Sequence, residues 1–282
     1  MEEIAFINGR FCSLSEATIS IEDRGFQFGD GVYEVIVARR GRPFRLAQHL
    51  DRLKRSTDAI DLPVDYAALN LPAVIEEGVR RCGFDEVMIY IQITRGVAPR
   101  DHVYSGDITP TVAATFKARP VHTHARARGV ALETTSDIRW AKCSVKSTAL
   151  LANVLIKNAA RRRGFFDAVI LGEGDVVRET AVANIFIVND GAIRTPPATD
   201  HILHGVTRGY LLECAARLGI PCREVHFSRS EMLAADEVFI TSTTMNVMPV
   251  TSIDGSAIGD GKPGTIAERL LGCFCEDTAD SE

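Results

Sequence analysis

Short runs rich in apolar and β-branched residues alternate along this chain with longer stretches of helical spacing. In the first 119 residues, positions 4–7, 32–37, 87–94 and 111–116 read as strands, and Gly41-Arg42-Pro43 reads as a turn between strands. Leu46, Leu50, Leu53 and Ile60 recur at helical intervals and predict a helix over 46–60. A second helix is predicted over 66–82, closed by Gly83. The pattern lapses at 117–129, which is basic, short of large apolar side chains and contains Pro120. Strands are predicted again at 130–134, 168–171, 184–188, 224–227 and 238–241. Between them lie helices over 148–163, ended by Gly164, and 207–218, ended by Gly219 and Pro221. Ser228-Arg229-Ser230-Glu231 has the spacing of a capping box opening a short helix. The expectation is a mixed α/β (α+β) chain of two domains, 1–119 and 129–276, with a linker over 120–128 and a polar tail over 277–282 that frays.

Composition narrows the function. With 46% hydrophobic and 24% charged residues the balance is that of a globular protein, and the formal net charge of -5 favours no polyanion, so nucleic acid is not an expected partner. Arg161-Arg162-Arg163 stands at the end of a predicted helix, where cations suit the dipole, and reads as a solvated face. The seven cysteines are scattered without metal or CxxC spacing, which points to reduced thiols in a cytoplasmic protein. The N-terminal Glu2 and Glu3 do not suit a signal peptide, and no apolar run has membrane-spanning length, so no membrane partner is expected. There is no GxGxxG after a strand and no GxxxxGK[ST]. His122 and His124 lack further ligands nearby and read as linker histidines, so no metal is expected.

Lysine is scarce, and Lys146 has the most suggestive setting of the six. It lies in Ser144-Val145-Lys146-Ser147, directly before the helix predicted from 148. The partial positive charge of a helix N-terminus favours the neutral amine, the form Schiff-base chemistry needs. Many surface lysines share that setting, so taken alone it decides little.

The wider pattern decides more. The run from Asp23-Arg24-Gly25-Phe26-Gln27-Phe28-Gly29-Asp30-Gly31 to Val32-Tyr33-Glu34-Val35 resembles the N-terminal signature of the D-amino-acid aminotransferases, pyridoxal-phosphate-dependent enzymes of fold type IV. So do His49-Leu50-Asp51-Arg52-Leu53, the stretch from Thr94-Arg95-Gly96 to Arg100-Asp101-His102, Asp137-Ile138-Arg139-Trp140 followed by Lys146-Ser147, and Thr241-Ser242-Thr243-Thr244. These stand in family order and spacing over nearly the whole chain.

The resemblance implies a homodimer with a small N-terminal domain, a barrel-like C-terminal domain and pyridoxal 5'-phosphate at their interface. Lys146 matches the lysine that carries the cofactor as a Schiff base and shuttles the proton. Glu179 matches the acid paired with the pyridine nitrogen, and Arg52 the arginine on the phosphate, with Val206, Thr207 and Thr243 as further phosphate contacts. Tyr33, Arg100 and His102 match the set that binds the substrate α-carboxylate, with the Arg100–His102 loop entering the neighbouring subunit's site. Outside the family, Arg52 would read as a helix surface residue, Glu179 as a strand-end glutamate and the Thr243 run as an ordinary strand end.

The activity implied is transamination between a D-amino acid and a 2-oxo acid such as 2-oxoglutarate or pyruvate. Rivals on the same fold are an (R)-selective amine transaminase, a branched-chain L-aminotransferase and aminodeoxychorismate lyase; a non-catalytic scaffold is the rival from another class. The sequence departs from the family at Thr180-Ala181-Val182-Ala183, where hydroxyls are usual, and at Met245 and Val37, where polar or basic residues are often found.

Overall fold

The computed structural model describes residues 1–120 and 122–279. Met1–Pro120 with Val145–Leu150 forms one compact unit; the described residues of Val121–Ser144 and Leu151–Glu282 form another. Val121 of the expected linker and residues 280–282 of the expected tail lie outside the described residues.

The first unit is built on an antiparallel sheet of β1 (Ile4–Ile7), β2 (Arg10–Ser13), β3 (Gly31–Arg39), β4 (Arg42–Pro43), β5 (Glu86–Thr94) and β6 (Thr111–Ala118), in the order β2-β1-β6-β5-β3-β4. Side chains alternate across a strand, so β3 sends Val32, Glu34, Ile36 and Ala38 to one face, in register with Ile93, Ile91, Ile89 and Val87 of β5. That face packs against Leu53 of α2 (Leu46–Asp58) and Ile75 and Val79 of α4 (Leu71–Cys82). Each such side chain, once buried, contributes about 1.5–3 kcal/mol. The opposite face carries Tyr33, Val35 and Val37 beside Gln92, Tyr90 and Met88.

Two local features differ from the expectation. The helix predicted over 66–82 is broken into α3 (Tyr66–Leu69) and α4 at Asn70, which adopts a left-handed φ of 44°. Pro72 in the first turn of α4 has no N–H to bond the carbonyl of Ala68, and in a continuous helix its ring would clash with that carbonyl. A helix, α1 (Arg24–Phe28), also forms within the 23–35 run. Five residues are too few for a periodic signal.

The second unit carries β7 (Val130–Ser136), β8 (Asp167–Leu171), β9 (Val177–Thr180), β10 (Asn184–Asn189), β11 (Ala192–Thr195), β12 (Cys222–Glu224), β13 (Glu237–Ser242) and β14 (Asn246–Ile253). Their order is β12-β11-β10-β13-β14-β7-β8-β9, with β15 (Ser256–Ala257) beside β14. β14, β7 and β8 run parallel, whereas β10, β13 and β14 are antiparallel. β9 turns directly into β10, with Thr180 N donating to Ala183 O at 2.8 Å, so strands distant in the sheet order meet and the sheet curls into a barrel-like form. Ile185, Ile187, Val238, Ile240, Met248 and Val250 fill its core.

Its helices are α5 (Thr123–Arg128), α6 (Leu151–Arg162), α7 (Val206–Arg217), α8 (Arg229–Leu233) and α9 (Thr265–Ala279). The capping box at Ser228 and Glu231 forms as the spacing predicts. The strand predicted over 224–227 is the shorter β12, ending at Glu224. Part of the expected linker is helix α5, whose Arg126 Nη2 donates to Met245 O at 3.1 Å. Helix α9 was not anticipated, although Ile266, Leu270, Cys273 and Phe274 give it a buried stripe at helical spacing. Among the described residues no helix is long and apolar enough to cross a membrane, and no group of three metal-ligating side chains gathers. The cysteines are unbridged.

Candidate active site

In the first unit the local fold leads to Lys146. Helix α2 places His49, Arg52 and Ser56 along one stripe, because residues three or four apart share a helix face. That stripe meets Glu34, the one acid on the buried face of β3. Arg52 forks onto it, Nε to Oε1 at 2.6 Å and Nη2 to Oε2 at 2.8 Å, and His49 Nδ1 lies 2.9 Å from Oε2. Burial works against the Glu34 charge, but the Arg52 guanidinium and the hydrogen bonds from Arg52 and His49 hold its carboxyl down at about 2. Burial pushes the His49 imidazole below its ordinary value, against the pull of Glu34.

Ser56, one turn further on, accepts a hydrogen bond from Lys146 N at 3.2 Å. Lys146 O accepts from Tyr33 N at 2.9 Å, Ser147 bridges Val32, and Thr148 N and Oγ1 donate to Gly31 O and Gly29 O. The segment thus runs beside β3, joined to it by a single antiparallel bridge. The Lys146 side chain rises over the half-buried face of the sheet, with Nζ 4.2 Å from the centre of the Tyr33 ring. Tyr33 stacks on Tyr90 at 5.5 Å, and Tyr90 Oη donates to Gln92 at 2.6 Å. The helix expected to start at 148 starts at Leu151, because Ser147 and Thr148 are engaged with β3 and its approach. The backbone anchor, rather than a helix N-terminus, is therefore what sets Lys146.

Arg100 and His102 are both exposed and gather around Phe28. The Arg100 guanidinium lies 4.6 Å from its ring centre and the His102 ring 5.4 Å from it.

In the second unit Glu179, at the end of β9, is buried and held from several sides. Its carboxylate accepts from Arg139 Nη1 at 2.5 Å, from Asn184 Nδ2 at 3.1 Å and from Leu203 N at 3.1 and 3.2 Å. Arg139 also forks onto Asp137, which Arg178 reaches at 2.7 Å. Burial opposes the Arg139 charge, yet the Asp137 hydrogen bond and the Glu179 carboxylate lift it above the ordinary arginine value. Asn184 donates to Leu203 O as well, and Gly205 lies so close that a Cβ there would stand 2.1 Å from Asn184 Oδ1. Gly205 opens α7 with no side-chain cap, so Val206 and Thr207 begin the helix with backbone N–H groups suited to an anion. Thr243 lies half-buried in the turn between β13 and β14, two residues beyond Thr241, the cross-strand partner of Asn184.

This donor set fits pyridoxal 5'-phosphate. An uncapped helix start beside a fixed carboxylate suits a group with a phosphate and a basic ring nitrogen. The buried Thr241 Oγ1, which has no hydrogen-bond partner among the described residues, adds a free hydroxyl on the strand flanking Asn184.

Glu34, His49 and Arg139 all lie within the motif runs, yet no motif marks a role for any of them. A lone acid in an apolar strand stripe is the signal for Glu34. Thr180, the one hydroxyl kept in the departure from the family, is spent within its own turn, where it accepts from Ala183 N at 3.0 Å and donates to Asp167. Met245 and Val37 are both buried. Replacing Arg139→Lys keeps the charge, but a single ammonium cannot span Asp137 and Glu179. A loss of about 1–2 kcal/mol is expected in urea unfolding, and an unchanged midpoint would mean that the fork carries no stability.

The sequence pattern of the family Amino-transferase class IV matches residues 31–253. A D-alanine aminotransferase of Listeria innocua serovar 6a is 39% identical over 274 residues, covering 96% of this chain and 94% of the relative. The branched-chain amino acid aminotransferase of Escherichia coli superposes with a TM-score of 0.91 at 26% identity, over 98% of this chain and 94% of that one. The branched-chain aminotransferase of the thermophilic archaeon Thermoproteus uzoniensis, solved with norvaline, gives 0.89 at 28% identity, over 99% and 95%. The mixed helix-and-sheet fold expected from the sequence, fold type IV, is thus the one found. A family match across most of the chain and an end-to-end relative at this identity settle the membership: the chain belongs to the class IV aminotransferases.

Proposed function

We propose that the protein moves an amino group between a D-amino acid and a 2-oxo acid, working in the cytoplasm as a homodimer. The observation that carries this reading is Lys146, tied by its backbone to β3 with its amine over the ring of Tyr33. Likeness to a D-alanine aminotransferase supports the D hand.

Pyridoxal 5'-phosphate, when bound, takes up the amino group and draws electrons from the substrate Cα. The residues of this chain do the rest. Lys146 would hold the cofactor and, once displaced from it by the substrate amine, its freed amine would take the proton from the substrate Cα and return one in the reverse half-reaction. Glu179, fixed by Arg139, Asn184 and Leu203, holds a proton on the pyridine nitrogen. The first turn of α7 (Val206 and Thr207), with Thr243 and Arg52, receives the phosphate. Arg52 is already forked onto Glu34, which fixes the direction of its guanidinium. Tyr33, Arg100 and His102 bind the substrate carboxylate, the loop bearing Arg100 and His102 completing the neighbouring subunit's site.

The visible spectrum of cofactor-loaded protein tests this. D-alanine is expected to bleach the band of the lysine-bound cofactor, and L-alanine to leave it. Bleaching by the L form alone would replace this reading with a branched-chain L-aminotransferase, the alternative favoured by the solved structures.

A further inference from the structure

We infer that Phe28 is a positioning residue for the substrate-carboxylate site, presenting Arg100 over its ring and His102 tilted against it; the inference deepens the reading above and rests on it. The support begins with α1. Its N-cap Asp23, fully buried, accepts from Gly25 N at 2.8 Å and from Thr94 Oγ1 at 3.0 Å. Arg24 N donates to Gly96 O at 2.9 Å. Gly25 packs where any Cβ would stand 2.1 Å from Thr94 Cγ2. The short helix is therefore fastened to the end of β5, where the loop with Arg100 and His102 departs. At its other end Gly29 turns left-handed, with φ of 67°, and leads the chain into β3.

From this mount, Arg24 and Phe28 reach the loop. The Arg24 guanidinium is buried and held by Asp30 at 2.9 Å; its Nη1 donates to Asp101 O and its Nη2 to His102 O at 3.4 Å. Arg95 shares the same Asp30 oxygen at 2.9 Å and is itself fixed to the carbonyls of Asp61 and Ile60. The loop backbone is therefore clamped at Asp101, between the two carboxylate binders, and at His102 itself. Phe28 then orders the side chains: Arg24 lies 4.8 Å from its ring centre, Arg100 4.6 Å and the His102 ring 5.4 Å.

The two arginines on this ring differ in what is left to them. Arg24 is balanced by Asp30. Arg100 has no hydrogen bond or ion pair among the described residues; its recorded contact is with the Phe28 ring. A guanidinium lying on an aromatic face keeps its N–H donors in its own plane, directed outward and available for two-point binding of a carboxylate. An acidic partner would orient Arg100 equally well, but would occupy N–H donors that the substrate carboxylate needs. The aromatic ring fixes direction without doing so.

The test uses cofactor-loaded enzyme and reads KM and kcat for D-alanine, with calorimetric titration of propionate as a direct measure of carboxylate binding. Phe28→Leu keeps apolar volume and removes the ring. KM for D-alanine and Kd for propionate are expected to rise roughly 3- to 30-fold, with kcat within about twofold because Lys146 is untouched. Phe28→Tyr, which restores the ring, is expected to recover both constants. Phe28→Met serves as second variant should leucine not fold. Arg100→Met separates the two claims. If it weakens propionate while Phe28→Leu does not, the inference about Phe28 falls and the carboxylate reading stands. If Arg100→Met itself leaves propionate binding unchanged, the carboxylate reading fails. Equal losses in kcat and in 1/KM with Phe28→Leu would mark a merely structural role and overturn the inference.

Discussion

Replacing Lys146→Ala is expected to lower transamination by at least about 10⁴-fold, the upper end of what a positioned general acid–base supplies, and to abolish the visible band of the loaded protein. The fold is expected to survive. What ties residue 146 to the first unit is its backbone: its carbonyl accepts from Tyr33 N and its amide donates to Ser56 Oγ. An alanine keeps both bonds and loses only the aliphatic stem and amine that lie over Tyr33. The melting midpoint should therefore shift little, as for most substitutions that leave core and backbone bonding intact. Steady-state rates with D-alanine and 2-oxoglutarate, beside a thermal melt, check both parts. Full activity in this variant would remove the assignment of the lysine and the proposed chemistry with it.

Replacing Glu34→Ala is expected to have the largest effect on stability. Glu34 and Arg52 are buried, and the carboxylate accepts from Arg52 through both oxygens and contacts His49 as well. Removing the acid strands a buried guanidinium, a change that costs about 3–5 kcal/mol. The same group sets a pH dependence. In the folded chain its carboxyl stays ionised down to about 2, against an ordinary 4.5 when unfolded. A carboxyl lowered by folding contributes stability that is complete above the unfolded value and is lost as pH falls from 4.5 towards 2. His49 acts in the same sense at higher pH: burial lowers its folded value below 6.5, so the unfolded chain binds the proton more readily and acid favours unfolding. Urea midpoints of the wild type are thus expected to decline from about neutrality downward, most steeply below pH 4.5. Glu34→Ala is expected to be weaker at pH 7 and to lose that last steep portion. An identical acid slope in the variant would show that the pH dependence arises elsewhere.

Both variants bear on one arrangement. The stripe on α2 that grips Glu34 also carries Ser56, which holds the backbone of Lys146. The buried ion pair and the reactive lysine are therefore supported by the same two elements, β3 and α2. Loosening Glu34 is expected to disturb the amine's placement as well as the core, whereas removing the amine leaves the core alone.

Much of this protein was legible in its sequence. The apolar and β-branched runs at 32–37 and 87–94 located β3 and β5, because such side chains suit a pleated, largely buried strand. Gly83, Gly219 and the Ser228–Glu231 spacing marked helix ends because capping is local chemistry, decided by a few neighbouring residues. The candidate residues stood out through motif order, since Lys146, Glu179 and Arg52 lie in runs whose spacing is a property of the chain itself. Other features were decided only by contacts between residues far apart. Helix α6 starts at Leu151 because Ser147 and Thr148 are engaged with β3 and its approach, more than a hundred residues earlier in the chain. By local pattern alone, outside the family resemblance, Arg52 reads as a helix surface position, yet it is buried, because the acid that pairs with it comes from β3. Arg100 and His102 sit on an aromatic ring supplied by a five-residue helix with no periodic signature. Periodicity and capping report what a segment does with its nearest neighbours. The partner of a buried charge, and the direction in which a loop arginine points, depend on long-range packing, whose energy no local pattern encodes.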